Sequence, residues 1–148
     1  VQVRQATLKD ASTIARFNQA MALETENKHL DDETILGGVT AQLENPGHGY
    51  YLVVEHNNEV VGCLGITYEW SDWRNAQFLW IQSVYVQPEA RRLGAFQAMY
   101  NEIVGAARND NGVCGVRLYV EKDNSRARST YLALGMTTTH YDLLEVMV

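Results

Sequence analysis

Val84-Tyr85-Val86-Gln87-Pro88-Glu89-Ala90-Arg91-Arg92-Leu93-Gly94-Ala95-Phe96 runs from an apolar strand through a turn into two arginines, a glycine and a helix start. Amides at the beginning of a helix have no partner inside it, and with the helix dipole they attract anions. Gly94 lets a ligand approach the backbone closely. Arg91 and Arg92 add positive charge beside it. From the residues alone, this junction is a cradle for a phosphate or diphosphate. The plainer alternative is an arginine-bearing surface turn ahead of an amphipathic helix.

Working outward, the opening VQVRQAT alternates and reads as a strand. Asp10 caps a first helix near residues 10–25, with Ile14, Phe17 and Met21 at helical spacing. Asp31-Asp32 caps a second helix with an Ile35, Val39, Leu43 stripe, ending before Asn45-Pro46-Gly47. Two β-rich runs flank His56-Asn57-Asn58, a hairpin signal. EWSDWRNAQ reads as a loop and FLWIQSVYV as a long strand.

A third helix is expected to start near Leu93, with Phe96, Tyr100, Ile103 and Ala107 facing inward. VCGVRLYV reads as a central strand because apolar residues dominate both faces. Asn124 to Leu134 reads as a fourth helix stopped by Gly135, and HYDLLEVMV as a last strand. The order is β-α-α-β-β-β-α-β-α-β. It predicts an α/β fold with a mixed, largely antiparallel sheet of about six or seven strands and helices on both faces. The strand-helix alternation is too sparse for a dinucleotide fold, and there is no GxGxxG. Residues 1–148 read as a single domain.

Composition narrows the partners. Twelve Lys plus Arg against eighteen Asp plus Glu give a net charge of -6, the reverse of a nucleic-acid footprint. No apolar run is long enough to span a bilayer, and the first residues lack a signal peptide's pattern, so cytoplasmic residence is expected. Cys63 and Cys114 sit in apolar runs and read as two buried thiols. His29, His48, His56 and His140 are scattered without ligand spacing, so no metal is expected.

The Val84–Phe96 segment resembles the acyl-CoA signature of the GNAT superfamily of N-acyltransferases. There a strand and a Pro-acidic turn lead into Arg/Gln-x-x-Gly-x-Gly/Ala at a helix start. Arg91 takes the first position and Gly94 the middle glycine, while Phe96 departs from the usual Gly or Ala. Asn124-Ser125-Arg126-Ala127-Arg128-Ser129-Thr130-Tyr131-Leu132-Ala133-Leu134-Gly135-Met136 is similar to a second family pattern, Asn-x-x-Ala-x-x-x-Tyr-x-x-x-Gly-Phe, with Met136 in place of the aromatic. The likeness covers nearly the whole chain, and small diamine acetyltransferases share its two early helices and aromatic loop.

The resemblance implies acetyl transfer from acetyl-CoA to a primary amine by direct attack in a ternary complex. It implies central strands that splay to admit the cosubstrate. Val84, Tyr85 and Val86 would meet the pantetheine arm through their backbone. Arg91, Arg92, Leu93, Gly94, Ala95 and Phe96 would cradle the pyrophosphate. Asn124 would bond along the pantetheine, Arg126 or Arg128 would reach nucleotide phosphates, and Tyr131 would be the general acid beside the sulfur. A tyrosine of the helix's inner stripe is the alternative for Tyr131. Relatives also form homodimers through their last strands, which DLLEVMV could serve unless it is an interior strand.

The base is open. Gln82 or Ser83 stands where some relatives carry a Glu, and neither is a carboxylate. Glu24 or Glu26 can line an acceptor pocket, and Glu69 or Asp72 can end a water chain. Trp70, Trp73 and Trp80 near these acids can face an ammonium group, or form a small core or contact surface. Tyr50, Tyr51 and Tyr68 read as strand packing. The expected acceptor is a small, cationic amine. The rival readings are a non-catalytic acyl-CoA-binding domain of the same fold and a protein-interaction domain.

Overall fold

The computed structural model describes all 148 residues. They divide into a compact unit of residues 1–118 and a second unit of residues 119–148.

In the first unit, Gln2–Gln5 forms β1, followed by α1 (Ala11–Glu26) and α2 (Asp32–Glu44). Asp31 caps α2 by accepting from the Thr34 amide at 3.0 Å, as its sequence position predicts. Asn27 ends α1 in the left-handed region at φ 51°. Then come β2 (Tyr50–His56), β3 (Glu59–Ser71) and β4 (Ala76–Val86). Asn57 and Asn58, at φ 52° and 65°, make the expected tight β2–β3 turn. EWSDWRNAQ is less of a loop than its polarity suggests. Its ends belong to β3 and β4, leaving a short turn at Asp72–Asn75, because Ser71 pairs with Ala76.

A 3-10 turn at Pro88–Leu93 leads into α3 (Ala95–Arg108), and Val113–Leu118 is β5. The sheet order is β1-β2-β3-β4-β5, antiparallel except for the parallel β4–β5 pair. It has five strands, not six or seven. HYDLLEVMV forms no strand, and β5 is an outer strand, half-buried, not a central one. Apolar composition alone did not distinguish a central strand from an edge strand. Cys114 on β5 is accordingly exposed, a correction to the expected pair of buried thiols.

Helices cover both faces. Ile14 and Phe17 of α1 and Val39 of α2 pack with Tyr51, Val53, Cys63 and Tyr85. Alternation along β2 turns Leu52 to the other face, where it lines a small cavity with Ile103 and Ala106 of α3. At Gly115, an added Cβ would lie 2.8 Å from the Phe78 ring, so that ring occupies the space a side chain would take.

In the second unit, Ser125–Ala133 forms α4, and Gly135 follows it at φ 101°, the stop read from the sequence. Met136–Val148 has neither helix nor strand, and Leu143, Leu144, Val146 and Met147 are exposed.

Candidate active site

β4 keeps its ladder with β3 as far as Val86, whereas its parallel ladder with β5 ends at Ile81↔Leu118. From Gln82 to Val86, β4 therefore has no ladder partner in β5. One extra residue enters β4 between Ile81 and Val84, opposite Leu64–Ile66, and the bulge re-aims the strand just past the end of that ladder. β5 itself ends at Leu118, the last residue of the first unit. Tyr85 turns its ring to the α1 side, 5.3 Å from Phe17. Val84 is half-buried.

The cradle continues the same strand. The Gln87 amide donates to Val61 O at 2.8 Å, and Pro88 begins the 3-10 turn. Ala90 is buried, so the turn hangs on the core by that residue. Gly94 sits at φ 75°, a left-handed position that glycine takes without strain. Nothing lies within 4 Å of where its Cβ would be. The α3 ladder begins with Ala98 N–H donating to Gly94 O at 3.0 Å. Amides ahead of that bond point out of the helix's positive end. Ala95 is fully buried and anchors the helix start. Arg91, Arg92, Leu93 and Gly94 are exposed around it. Phe96 lies along α3, its ring 6.0 Å from that of Tyr100.

Arg91 is already engaged. Its Nε donates to Val86 O at 2.9 Å and its Nη2 to Glu24 Oε2 at 2.7 Å. The guanidinium also lies over the Tyr85 ring, 5.6 Å from its centre. The Tyr85 hydroxyl reaches Glu24 Oε1 at 3.3 Å. Burial, then the Glu24 charge, raises the Tyr85 phenol above its ordinary range.

The other acceptor candidates separate into two groups. Gln82 donates to Thr67 Oγ1 at 3.0 Å, and Glu69 accepts from Trp80 Nε1 at 2.8 Å and from Arg117 Nη1 at 2.9 Å. These residues share one face, because Thr67 pairs with Trp80 and Trp80 with Arg117. Trp70 is one residue out of phase with Glu69 and so projects from the opposite face. Trp70 and Trp73 are 63% and 89% exposed, and Asp72 is exposed in the same turn. The three tryptophans do not assemble around one point. Thr67 and Arg117 escaped the sequence reading. The available signal was a single arginine inside the otherwise apolar VCGVRLYV.

Within residues 119–148, Asn124 Oδ1 caps α4 by accepting from the Ala127 amide at 3.2 Å. Arg126 is exposed, and Arg128 Nη2 bonds Thr138 Oγ1 at 3.2 Å. Tyr131 is half-buried, and burial raises its phenol above the ordinary range. Elsewhere, burial pushes the Cys63 thiol up to about 12. No three His, Cys, Asp or Glu side chains are grouped as metal ligands would be, and no helix is long and apolar enough to cross a membrane.

Comparison with known proteins agrees with this geometry. The model of the acetyltransferase (GNAT) family matches residues 12–136. A possible acetyltransferase from Clostridium difficile 630 is 45% identical, with a TM-score of 0.95 over 99% of this chain and 97% of that one. A predicted acetyltransferase with acetyl-CoA from Clostridium acetobutylicum is 20% identical, with a TM-score of 0.79 over 99% and 95%. Ribosomal-protein-alanine N-acetyltransferase from Brucella melitensis biovar Abortus 2308 is 14% identical, with a TM-score of 0.80 over all of both chains. The last two likenesses are of fold. No curated protein matches the chain significantly. The family match over residues 12–136 and the 45% identical relative place the chain in the acetyltransferase (GNAT) family, as an acyl-CoA-dependent N-acetyltransferase.

Proposed function

We propose that this acetyltransferase transfers acetyl from acetyl-CoA to the primary amine of a small cationic acceptor, by direct attack in a ternary complex. The observation that carries the cosubstrate assignment is the end of the β4–β5 ladder at Ile81↔Leu118, which leaves Gln82–Val86 without a β5 partner on the strand that runs into the Gly94 helix start. The fit follows from three features of the chain. Gln82–Val86 has no ladder partner in β5, the Gly94 position is open, and Arg91 and Arg92 are exposed beside the amides. Val84, Tyr85 and Val86 would hold the pantetheine arm by backbone hydrogen bonds. Arg91, Arg92, Leu93, Gly94, Ala95 and Phe96 would surround the diphosphate, and Asn124 and Arg126 would serve the arm and the nucleotide phosphates.

When bound, the thioester supplies an acetyl group activated for attack. The residues of this chain orient it, receive the amine and return a proton to sulfur. A backbone N–H of Val84–Val86 would stabilise negative charge on the carbonyl oxygen. Tyr131 is the proposed general acid. Its phenol is held above the usual range by burial, so it stays protonated and able to donate at neutral pH. Glu24, Glu69, Trp70, Asp72 and Gln82 are the proposed acceptor-side residues, with Glu69 or Asp72 able to take the ammonium proton through water. The net charge of -6 favours a cationic acceptor.

The exposed apolar side chains of Leu143, Leu144, Val146 and Met147 support a homodimer built through the tail. The free thiols of Cys63 and Cys114 suit a reducing, cytoplasmic compartment. A screen of polyamines, amino acids, aminoglycosides and peptide amines with acetyl-CoA, read by thiol release, tests the acceptor class. Turnover confined to neutral or protein amines would overturn the proposal.

A further inference from the structure

Glu24 and Arg91 lie 67 residues apart in sequence and meet at 2.7 Å. Arg91 is the first residue of the diphosphate signature, yet its Nη2 is spent on a carboxylate from the last turn of α1. A diphosphate at the cradle would offer the same guanidinium a rival set of anionic oxygens. We infer that Glu24 is a competing anion that occupies Arg91 until the diphosphate of the cosubstrate displaces it, so that a side chain on α1 sets the affinity of the cradle.

Two features make the exchange cheap. Both side chains are substantially exposed, at 45% for Arg91 and 42% for Glu24, and exposed pairs of this kind are weak. Phosphate oxygens take guanidinium hydrogen bonds in paired geometry with more charge, so they win the contest. The second feature is the Nε contact to Val86 O at 2.9 Å. That bond keeps the arginine tethered to the end of β4 while Nη2 changes partner. Tyr85 completes the arrangement. Its hydroxyl bonds Glu24 and its ring lies under the guanidinium, so it is placed to hold the released carboxylate. The end of α1 and the cradle are thereby linked through one exchangeable contact.

The inference rests on the acyl-CoA reading, and its test separates the two. Calorimetric titration of CoA is performed on the wild type, Glu24→Gln, Arg91→Gln and the double variant, with thermal melts to confirm folding. Competition predicts that Glu24→Gln tightens CoA binding by about two- to fivefold, the size of a weak exposed pair. Arg91→Gln weakens it by about tenfold. In the Arg91→Gln background, Glu24→Gln then changes nothing. A Glu24→Gln variant that binds CoA more weakly would make Glu24 a support for Arg91 and overturn the inference, as would unchanged binding. A tightening that persists without Arg91 would also overturn it, because general charge repulsion would then explain the effect. A wild type that does not bind CoA would instead remove the cosubstrate reading itself.

Discussion

Glu69 on β3 accepts a hydrogen bond from Arg117 on β5 at 2.9 Å, reaching across β4 between them. Trp80 on that intervening strand donates to the other oxygen of the same carboxylate. Arg117 lies over the Phe78 ring at 3.6 Å, and Phe78 in turn fills the space beside Gly115. One carboxylate thus ties three strands together one pair before the end of the β4–β5 ladder. Replacing it by alanine should cost about 1 kcal/mol, since the pair is partly exposed. The melting temperature should fall by several degrees, read by calorimetry, with CoA affinity little changed.

Tyr131→Phe removes the proposed proton donor and keeps the ring. Turnover should fall about a hundredfold or more while the dissociation constant for acetyl-CoA holds. Because burial raises the phenol, the wild-type rate should decline only above the ordinary tyrosine range. That alkaline limb should vanish in the variant, as a pH-rate profile would record.

Arg92→Glu places a negative charge beside the amides that start α3. CoA binding should weaken at least tenfold, and less so at high salt, because the effect is electrostatic. Titration at two ionic strengths checks both parts.

Gly94→Ala forces a side chain into the left-handed region at φ 75° without meeting any neighbour. The strain is about 1 kcal/mol. Stability should drop by that amount in urea titration, and CoA affinity should fall because the added methyl enters the open space beside the proposed cradle.

Asp10 makes no side-chain cap bond to α1, contrary to the sequence expectation; its carboxylate instead accepts two bonds from Arg4 at 2.9 and 3.0 Å and one from the Thr7 amide at 2.8 Å. The Arg4 contact holds its carboxyl below the usual range. The folded value is depressed, so this stabilisation is complete above the unfolded value near 4 and is lost as pH falls through the folded one. Asp10→Asn should cost about 1–2 kcal/mol at neutral pH and flatten the loss of stability in acid, measured by denaturant melts from pH 7 to 3.

The sequence by itself determined the parts whose physics is local. Asp31 caps α2 because its carboxylate reaches an amide three residues on. Asn57-Asn58 turns the hairpin because asparagine tolerates positive φ. Gln87-Pro88 followed by Gly94 announces a strand, a tight turn and a helix start, since each residue constrains its own backbone. Tertiary structure alone decided what depends on distant segments meeting. Apolar composition could not say that β5 lies at the sheet's edge, that the β4–β5 ladder stops at Leu118, or that the tail adds no strand. Nor could it pair Glu24 with Arg91, or Glu69 with Arg117 across 48 residues. Hydrogen-bond propensity and periodicity are written into neighbours along the chain, whereas those contacts exist only once the sheet has set its register.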